Sequence, residues 1–209
     1  MRIAWSRTLG YARPDPEVAA IAQRTAQRFS DMGCEVVEVE RVMTQDPIDL
    51  WVSEFYAGVG VRLKKQLLDQ RELLDPAVAD ILGQALAQTS EAYYTRVFQR
   101  YELRETMRRF FDRFDLLLTP TLPCAAFDVG MNTPPQLPDR NLISWVYYTY
   151  PFNLTGQPAA SVPAGFTRGG LPVGLQMVAR LHHETDIFRA AAALEACQPW
   201  ADRRPVVSQ

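Results

Sequence analysis

The chain has 209 residues, 47% hydrophobic and 22% charged, a balance that fits a soluble globular protein and excludes a largely disordered one. A formal net charge of -2 and a pI near 5.7 leave no basic surplus for nucleic acid or an anionic membrane surface. No apolar run reaches the length of a membrane span, and the segment after Met1 is strand-like rather than a signal peptide. Cys34, Cys124 and Cys197 are odd in number, widely separated and free of C-x-x-C spacing. Reduced thiols in the cytoplasm are the expectation.

Arg2 to Trp5 is a short apolar run with β character. Asp15 can cap a helix that begins at Pro16, whose missing amide hydrogen costs nothing in a first helical turn. Val18, Ile21, Ala22, Thr25 and Phe29 recur at helical spacing, Gly33 ends the segment, and Cys34 to Val39 is a second strand. Two strands joined by one helix predict a parallel pair in a helix-covered sheet.

Asp46 and Pro47 repeat the cap signal before a stripe of Ile48, Trp51, Val52, Phe55, Val59, Leu63 and Leu67, with a break expected near Gly58 and Gly60. Asp75 and Pro76 open a helix whose apolar face is Val78, Ile81, Leu82, Ala85 and Leu86. A longer helix runs from about Ser90 to Phe114; its apolar stripe drifts, and its alternating arginines and glutamates make a solvated face. Asp115 to Thr119 is apolar and stopped by Pro120, as suits a strand buried on both faces. From Pro120 to Asn141 prolines crowd and no period survives, which predicts a long functional loop. Ser161 to Phe166 and Leu175 to Val178 are strands of a hairpin turned at Gly169 and Gly170. A last helix carries Ile187, Phe188, Ala191 and Leu194, and a loose tail is expected after Pro199. No repeat or linker divides the chain, so a single α/β unit over 1–209, with a mixed β-sheet covered by helices, is expected.

Three motifs in order carry a family resemblance. They are D-L-L-L-T-P-T-x-P from Asp115 to Pro123, P-F-N-L-T-G-Q-P from Pro151 to Pro158, and S-V-P-A-G followed by G-L-P-V-G-L-Q-M-V from Ser161 to Val178. Together with R-I-A-W-S-R-T-L-G-Y from Arg2 to Tyr11, they resemble the C-terminal half of amidase signature enzymes. The resemblance implies amide hydrolysis by a serine nucleophile, activated through a second serine and a lysine base, with an acyl-enzyme released by water. It implies no cofactor. Such chemistry needs a lysine deprotonated by its surroundings and backbone amides aimed at the oxyanion.

Those parts are not found in this sequence. Its serines are Ser6, Ser30, Ser53, Ser90, Ser144, Ser161 and Ser208, none adjacent to another and none in a glycine-rich loop. Its lysines are Lys64 and Lys65, side by side on an amphipathic helix where at least one faces water. The family places its triad N-terminal to the segment that Arg2 to Tyr11 matches, so the expectation is the C-terminal portion of an amidase, inactive alone. The expected substrate of the complete enzyme is a small-molecule amide. The expected partner is a complementary N-terminal half or a second copy of the chain. A non-catalytic binding or assembly protein that pairs with another chain is the alternative reading.

Other chemistry is weaker. Cys124 follows T-P-T-L-P and is read either as a nucleophile of an independent enzyme or as a small buried thiol, with no histidine near it in sequence. His182 and His183 are adjacent and lack metal-site spacing. By resemblance, Thr119, Pro120, Thr121, Pro123, Tyr148, Asn153, Thr155, Gly156 and Gln176 stand at strand ends and line the substrate pocket. Turn chemistry alone also accounts for most of these residue types.

Overall fold

The computed structural model describes residues 1–203. Strand β1 (Arg2–Trp5) leads through a loop to α1 (Pro16–Asp31). Asp15 caps α1 as the sequence predicts: its Oδ1 accepts from the amides of Glu17 at 2.7 Å and Val18 at 3.2 Å. Gly33, at φ +81°, turns the chain into β2 (Glu35–Glu38).

The second stripe is more broken than its periodicity predicts. It divides into α2 (Ile48–Trp51), a π-helical turn over Val52–Tyr56, α3 (Ala57–Arg62), α4 (Lys64–Asp69) and a 3₁₀ turn over Arg71–Leu73. The break between α3 and α4 falls at Leu63. Gly60 instead allows a close approach: a Cβ there would sit 2.9 Å from Leu86 Cγ, in the contact with α5 (Pro76–Leu86). Asp75 caps α5 through the amides of Ala77 and Val78.

Helix α6 runs from Ser90 to Phe110, four residues shorter than the sequence predicts. β3 (Leu116–Pro120) is buried at every position. Pro120 belongs to the strand rather than stopping it: the Thr121 amide bonds to β5, so by alternation the Pro120 nitrogen faces the other side, where pairing with β1 has ended at Leu118 and no amide hydrogen is needed. Residues 121–149 form neither helix nor strand, so the irregular segment expected up to Asn141 continues to the start of the next helix. A short α7 (Tyr150–Thr155) follows where the sequence predicts only a turn. The hairpin is β4 (Ala159–Phe166) and β5 (Pro172–Ala179), with Gly170 at φ +82° in its turn. In α8 (Glu184–Cys197), Ile187, Ala190 and Leu194 are buried, and Phe188 is exposed on the other side, contrary to the expected face.

The five strands form one mixed sheet in the order β2-β1-β3-β5-β4. β1 is parallel to both β2 and β3, and β5 is antiparallel to β3 and β4. Alternation along β3 feeds two cores. Leu116 and Leu118 join Phe29 of α1 and Leu194 of α8 on one face. Leu117 joins Met107 and Phe111 around α6, with Tyr147 and Phe152, on the other. Each such leucine is worth roughly 1.5–3 kcal/mol of burial. A third cluster, around Tyr56, Leu82 and Ala85, holds the shorter helices together.

Of the expected loose tail, Trp200 packs against the first core, and residues 204–209 lie outside the described residues. No helix among the described residues is long and apolar enough to cross a membrane.

Candidate functional site

A concavity of about 890 Å³ lies where β3 ends and extends along β4. Its walls are mainly apolar: Cys124 and Phe127 from the proline-dense loop, Trp145, and Val162, Pro163 and Phe166 from β4. Trp200 and Arg203 also contribute. Besides Arg203, its polar groups include a hydroxyl pair, with Thr121 Oγ1 and Ser161 Oγ 2.7 Å apart.

Sheet register builds that pair. Thr121 N–H donates to the Gly174 carbonyl at 3.0 Å, and Ser161 on β4 lies opposite Gln176 on β5. Gly174 stands between the two hydroxyls. A Cβ there would come within 2.6 Å of Ser161 Oγ and 2.7 Å of Thr121 Oγ1, so only glycine admits the contact.

Three of the sequence-derived candidates meet beneath the cleft. Gln176 Nε2 donates to Thr119 Oγ1 at 3.0 Å and to the Tyr148 carbonyl at 2.7 Å, and Thr119 Oγ1 donates to the Pro120 carbonyl at 2.8 Å. Tyr148 Oη in turn donates to the Arg7 carbonyl. All three residues are buried and tie β3 and β5 to the segment that leads into α7. Removing one partner would leave a buried polar group unpaired, at about 1–3 kcal/mol.

The other candidates lie at separate places. Thr121 is in the cleft wall. Pro120 is buried at the end of β3, and the Pro123 carbonyl accepts the Asp15 amide at 2.6 Å, joining the loop to the start of α1. In α7, Asn153 is exposed, Thr155 Oγ1 donates back to the Pro151 carbonyl at 3.0 Å, and Gly156 ends the helix at φ +84°. Ser161, Phe127, Trp145 and Trp200 line the cleft without belonging to the sequence-derived candidates. The one signal for them in sequence is the proline-dense loop that carries Phe127.

Among the described residues, no serine, threonine or cysteine side chain is hydrogen-bonded to a lysine or histidine. Lys64 and Lys65 are exposed on α4. His183 precedes α8 with Nδ1 3.1 Å from Asp186 Oδ2. No cluster of His, Cys, Asp and Glu among the described residues could hold a metal ion.

Cys124 is buried, and burial together with the nearby Asp15 carboxylate pushes its thiol up to about 11. At neutral pH it is therefore a neutral thiol and a poor nucleophile. Iodoacetamide should alkylate Cys124 slowly at pH 8 and faster as the pH rises to 10, where the fold is still intact, whereas the exposed Cys197 should react readily at pH 8. Peptide mass spectrometry checks this; equal rates at pH 8 would count against a buried, protonated thiol.

Away from the cleft, a half-buried ionic cluster joins the loop before α2, the irregular segment 121–149 and the start of α7. Arg140 Nη2 donates to Asp46 Oδ2 at 2.7 Å, Arg140 Nε donates to Tyr147 Oη at 3.1 Å, and the guanidinium lies 4.5 Å from the Tyr147 ring centre. Tyr150 Oη donates to Asp46 Oδ1, which also accepts the Ile48 amide at 3.1 Å.

An open mixed sheet with helices on both faces and an apolar cleft at its strand ends defines the class. Residues 1–188 match the family model described as Amidase, and the chain belongs to the amidase signature family. It is 33% identical to the acylamidase of Rhodococcus erythropolis over 100% of its own length and 44% of that protein. It is 31% identical to a glutamyl-tRNA(Gln) amidotransferase component of Myxococcus xanthus, covering 87% of this chain and 42% of the relative. The fold superposes on a bacterial aryl acylamidase of the amidase signature family with a TM-score of 0.85 at 25% identity, covering 98% of this chain and 46% of that one. It also superposes on 6-aminohexanoate cyclic dimer hydrolase, with a TM-score of 0.85 at 23% identity, covering 99% of this chain and 47% of that one. The chain thus spans less than half the length of these relatives.

Proposed function

We propose that this chain supplies the C-terminal part of an amidase, as one unit over residues 1–209, that forms a wall of the substrate cleft and does not hydrolyse amides by itself. The observation that carries this reading is a mainly apolar cleft whose hydroxyl pair, Thr121 and Ser161, has no base bonded to it, in a chain that spans 44% of its acylamidase relative. A hydroxyl without an adjacent base is a weak nucleophile at neutral pH. In the reading proposed, a serine nucleophile, a second serine and a lysine arrive on the rest of the amidase fold, and water releases the acyl group.

The substrate is a small-molecule amide whose apolar portion contacts Phe127, Trp145 and Val162. Thr121 contributes directly to the wall, and Thr119, Tyr148 and Gln176 support it from beneath. Pro120, Pro123, Asn153, Thr155 and Gly156 shape the loops and the helix end beside it. Three cysteines with no disulfide fit a reducing cytoplasm.

The test is to assay the purified chain on p-nitroacetanilide and a panel of aliphatic amides. The assay is run alone and then with the N-terminal portion of the Rhodococcus erythropolis acylamidase that precedes the matched segment. No turnover alone, and turnover on mixing, is the expected result. Hydrolysis by the chain alone would refute the proposal.

A further inference from the structure

We propose that the recess between α1, the end of β4 and segment 198–203 binds a small phosphate monoester that carries an aromatic ring. The proposal is independent of the amidase reading, because Thr121 and Ser161 line the cleft and not this recess.

The recess encloses about 310 Å³. Three of its wall residues are arginines, Arg24 and Arg28 from α1 and Arg203 from the segment after α8. Among the described residues no aspartate or glutamate lines it. In a chain with a formal net charge of -2, that is a local reversal of sign.

Arg24 and Arg28 stand one helical turn apart on α1, and both are exposed. Like charges at that spacing share a helix face and repel each other. Nothing offsets them: among the described residues, the side chains of Arg24, Arg28 and Arg203 form no hydrogen bond or ion pair. Asp31 and Asp202, close to them along the chain, do not pair with them. Elsewhere arginines meet carboxylates, as Arg140 meets Asp46 and Arg100 meets Glu54.

The floor of the recess adds no repulsion to an anion. Thr25 Oγ1 donates to the Ala164 carbonyl at 2.9 Å, and Gln198 Nε2 donates to the same carbonyl at 3.3 Å. Both lone pairs of that oxygen are thereby engaged. The arginine N–H groups are left for a ligand. A guanidinium presents a planar fork that matches two oxygens of a phosphate at once, and three such cations are better balanced by a dianionic phosphate than by a single carboxylate.

Phe166 and Trp200 supply the contact for a ring. Phe166 is 44% exposed, and the Arg203 guanidinium lies 5.5 Å from its ring centre. Stacking engages the face of the guanidinium and leaves its in-plane donors to the ligand. Trp200 packs against the first core, which anchors its side chain. A volume of about 310 Å³ is at the low end for small-molecule sites, so the ligand is limited to about one ring and one phosphate.

The experiment is isothermal titration calorimetry of the full chain at pH 8 and constant ionic strength, with phenyl phosphate, inorganic phosphate and benzoate as probes. We expect saturable binding of phenyl phosphate at one site, weaker binding of inorganic phosphate and the weakest of benzoate. Arg24→Gln and Arg28→Gln should each weaken phenyl phosphate about tenfold or more, the effect of losing one charge-assisted hydrogen bond. Arg104→Gln, at an exposed arginine of α6 without an ion pair, should bind as the parent does. Thermal melting of each variant identifies any that fails to fold. A second readout needs no variant: phenyl phosphate should slow modification of Arg24 and Arg28 by phenylglyoxal, read by peptide mass spectrometry, and leave Arg104 unaffected.

No saturable binding of either phosphate would overturn the site, as would binding that Arg24→Gln and Arg28→Gln leave unchanged. Equal weakening by Arg104→Gln would also overturn it, because the attraction would then be diffuse. Benzoate binding as tightly as phenyl phosphate would defeat the assignment to phosphate. Inorganic phosphate binding as tightly as phenyl phosphate would support the anion site and remove the ring from it. Every readout is binding, so the result is separate from any test of amide turnover.

Discussion

Asp46→Ala should lower the stability of the folded chain by about 3–5 kcal/mol, far more than loss of an exposed ion pair. The Asp46 and Arg140 side chains are 17% and 18% exposed, and the carboxylate accepts from the Arg140 guanidinium, the Tyr150 hydroxyl and the Ile48 amide at once. Alanine would leave a largely buried guanidinium and a buried phenol without that partner. It would also remove the side-chain acceptor at the start of α2. For comparison, Arg71 and Asp80 approach to 2.5 Å but are 50% and 67% exposed. Asp80→Ala should therefore cost no more than about 1 kcal/mol. The measurement is urea unfolding, reading the midpoint at constant m-value. Asp46→Asn should fall between the two, because it keeps an acceptor for Tyr150 and Ile48 while losing the charge that faces Arg140. Equal losses for Asp46→Ala and Asp80→Ala would mean that the cluster is solvated and carries no special weight.

That cluster also marks where sequence reasoning stops. Asp15-Pro16, Asp75-Pro76 and Gly33 are local signals. A cap needs only the residues within one turn, and all three act as expected in the structure. The amphipathic periods of α1 and α5 and the Gly169-Gly170 turn are equally local. Asp46-Pro47 carries the same cap signal, but nothing nearby in sequence tells that Asp46 meets Arg140 and Tyr150, 94 and 104 residues away. Helix α7 is hidden for another reason: Pro151 near its start and left-handed Gly156 at its end are also the chemistry of a turn. In α8, Phe188 sits one position from Ile187, and only packing decides which of two adjacent apolar residues the core takes.

The cleft divides in the same way. The motif run 115–123 lies on β3 and the loop after it, so Thr121 can be singled out from the chain alone. Ser161 cannot, because its contact with Thr121 depends on the β3-β5-β4 register and on Gly174 lying between them. Phe127, Trp145 and Trp200 reach the cleft from three segments with no shared period. Family resemblance places the chain in its class. Geometry shows that this part of the fold presents an apolar wall with a neutral hydroxyl corner.

Above pH 10 the protein should lose stability steeply, because folding encloses phenols that must stay protonated. Burial raises the Tyr148 hydroxyl well above its ordinary value. Burial and the Asp46 carboxylate do the same for Tyr150, and burial with Tyr150 and Asp46 nearby raises Tyr11. Each phenol donates a hydrogen bond inward: Tyr11 to the Tyr147 carbonyl at 2.8 Å, Tyr148 to the Arg7 carbonyl and Tyr150 to Asp46. Deprotonation would remove the donor and set an anion against an acceptor. For a group raised on folding, the stabilisation is complete below the unfolded value near 10 and is lost as the pH climbs toward the folded one. Each phenol then costs about 1.4 kcal/mol per pH unit, so the three together cost about 4. Against a typical total of about 5–15 kcal/mol, unfolding should follow within roughly one to four pH units. Absorbance at 295 nm and far-ultraviolet circular dichroism, followed together, should show these three phenols ionising only as the fold is lost. Tyr148→Phe should cost about 1 kcal/mol at neutral pH for the lost bond to Arg7, yet make the alkaline decline about a third shallower. If Tyr11, Tyr148 and Tyr150 ionise near pH 10 while the circular dichroism stays native, these phenols are not enclosed in this way and pack more loosely than their hydrogen bonds indicate.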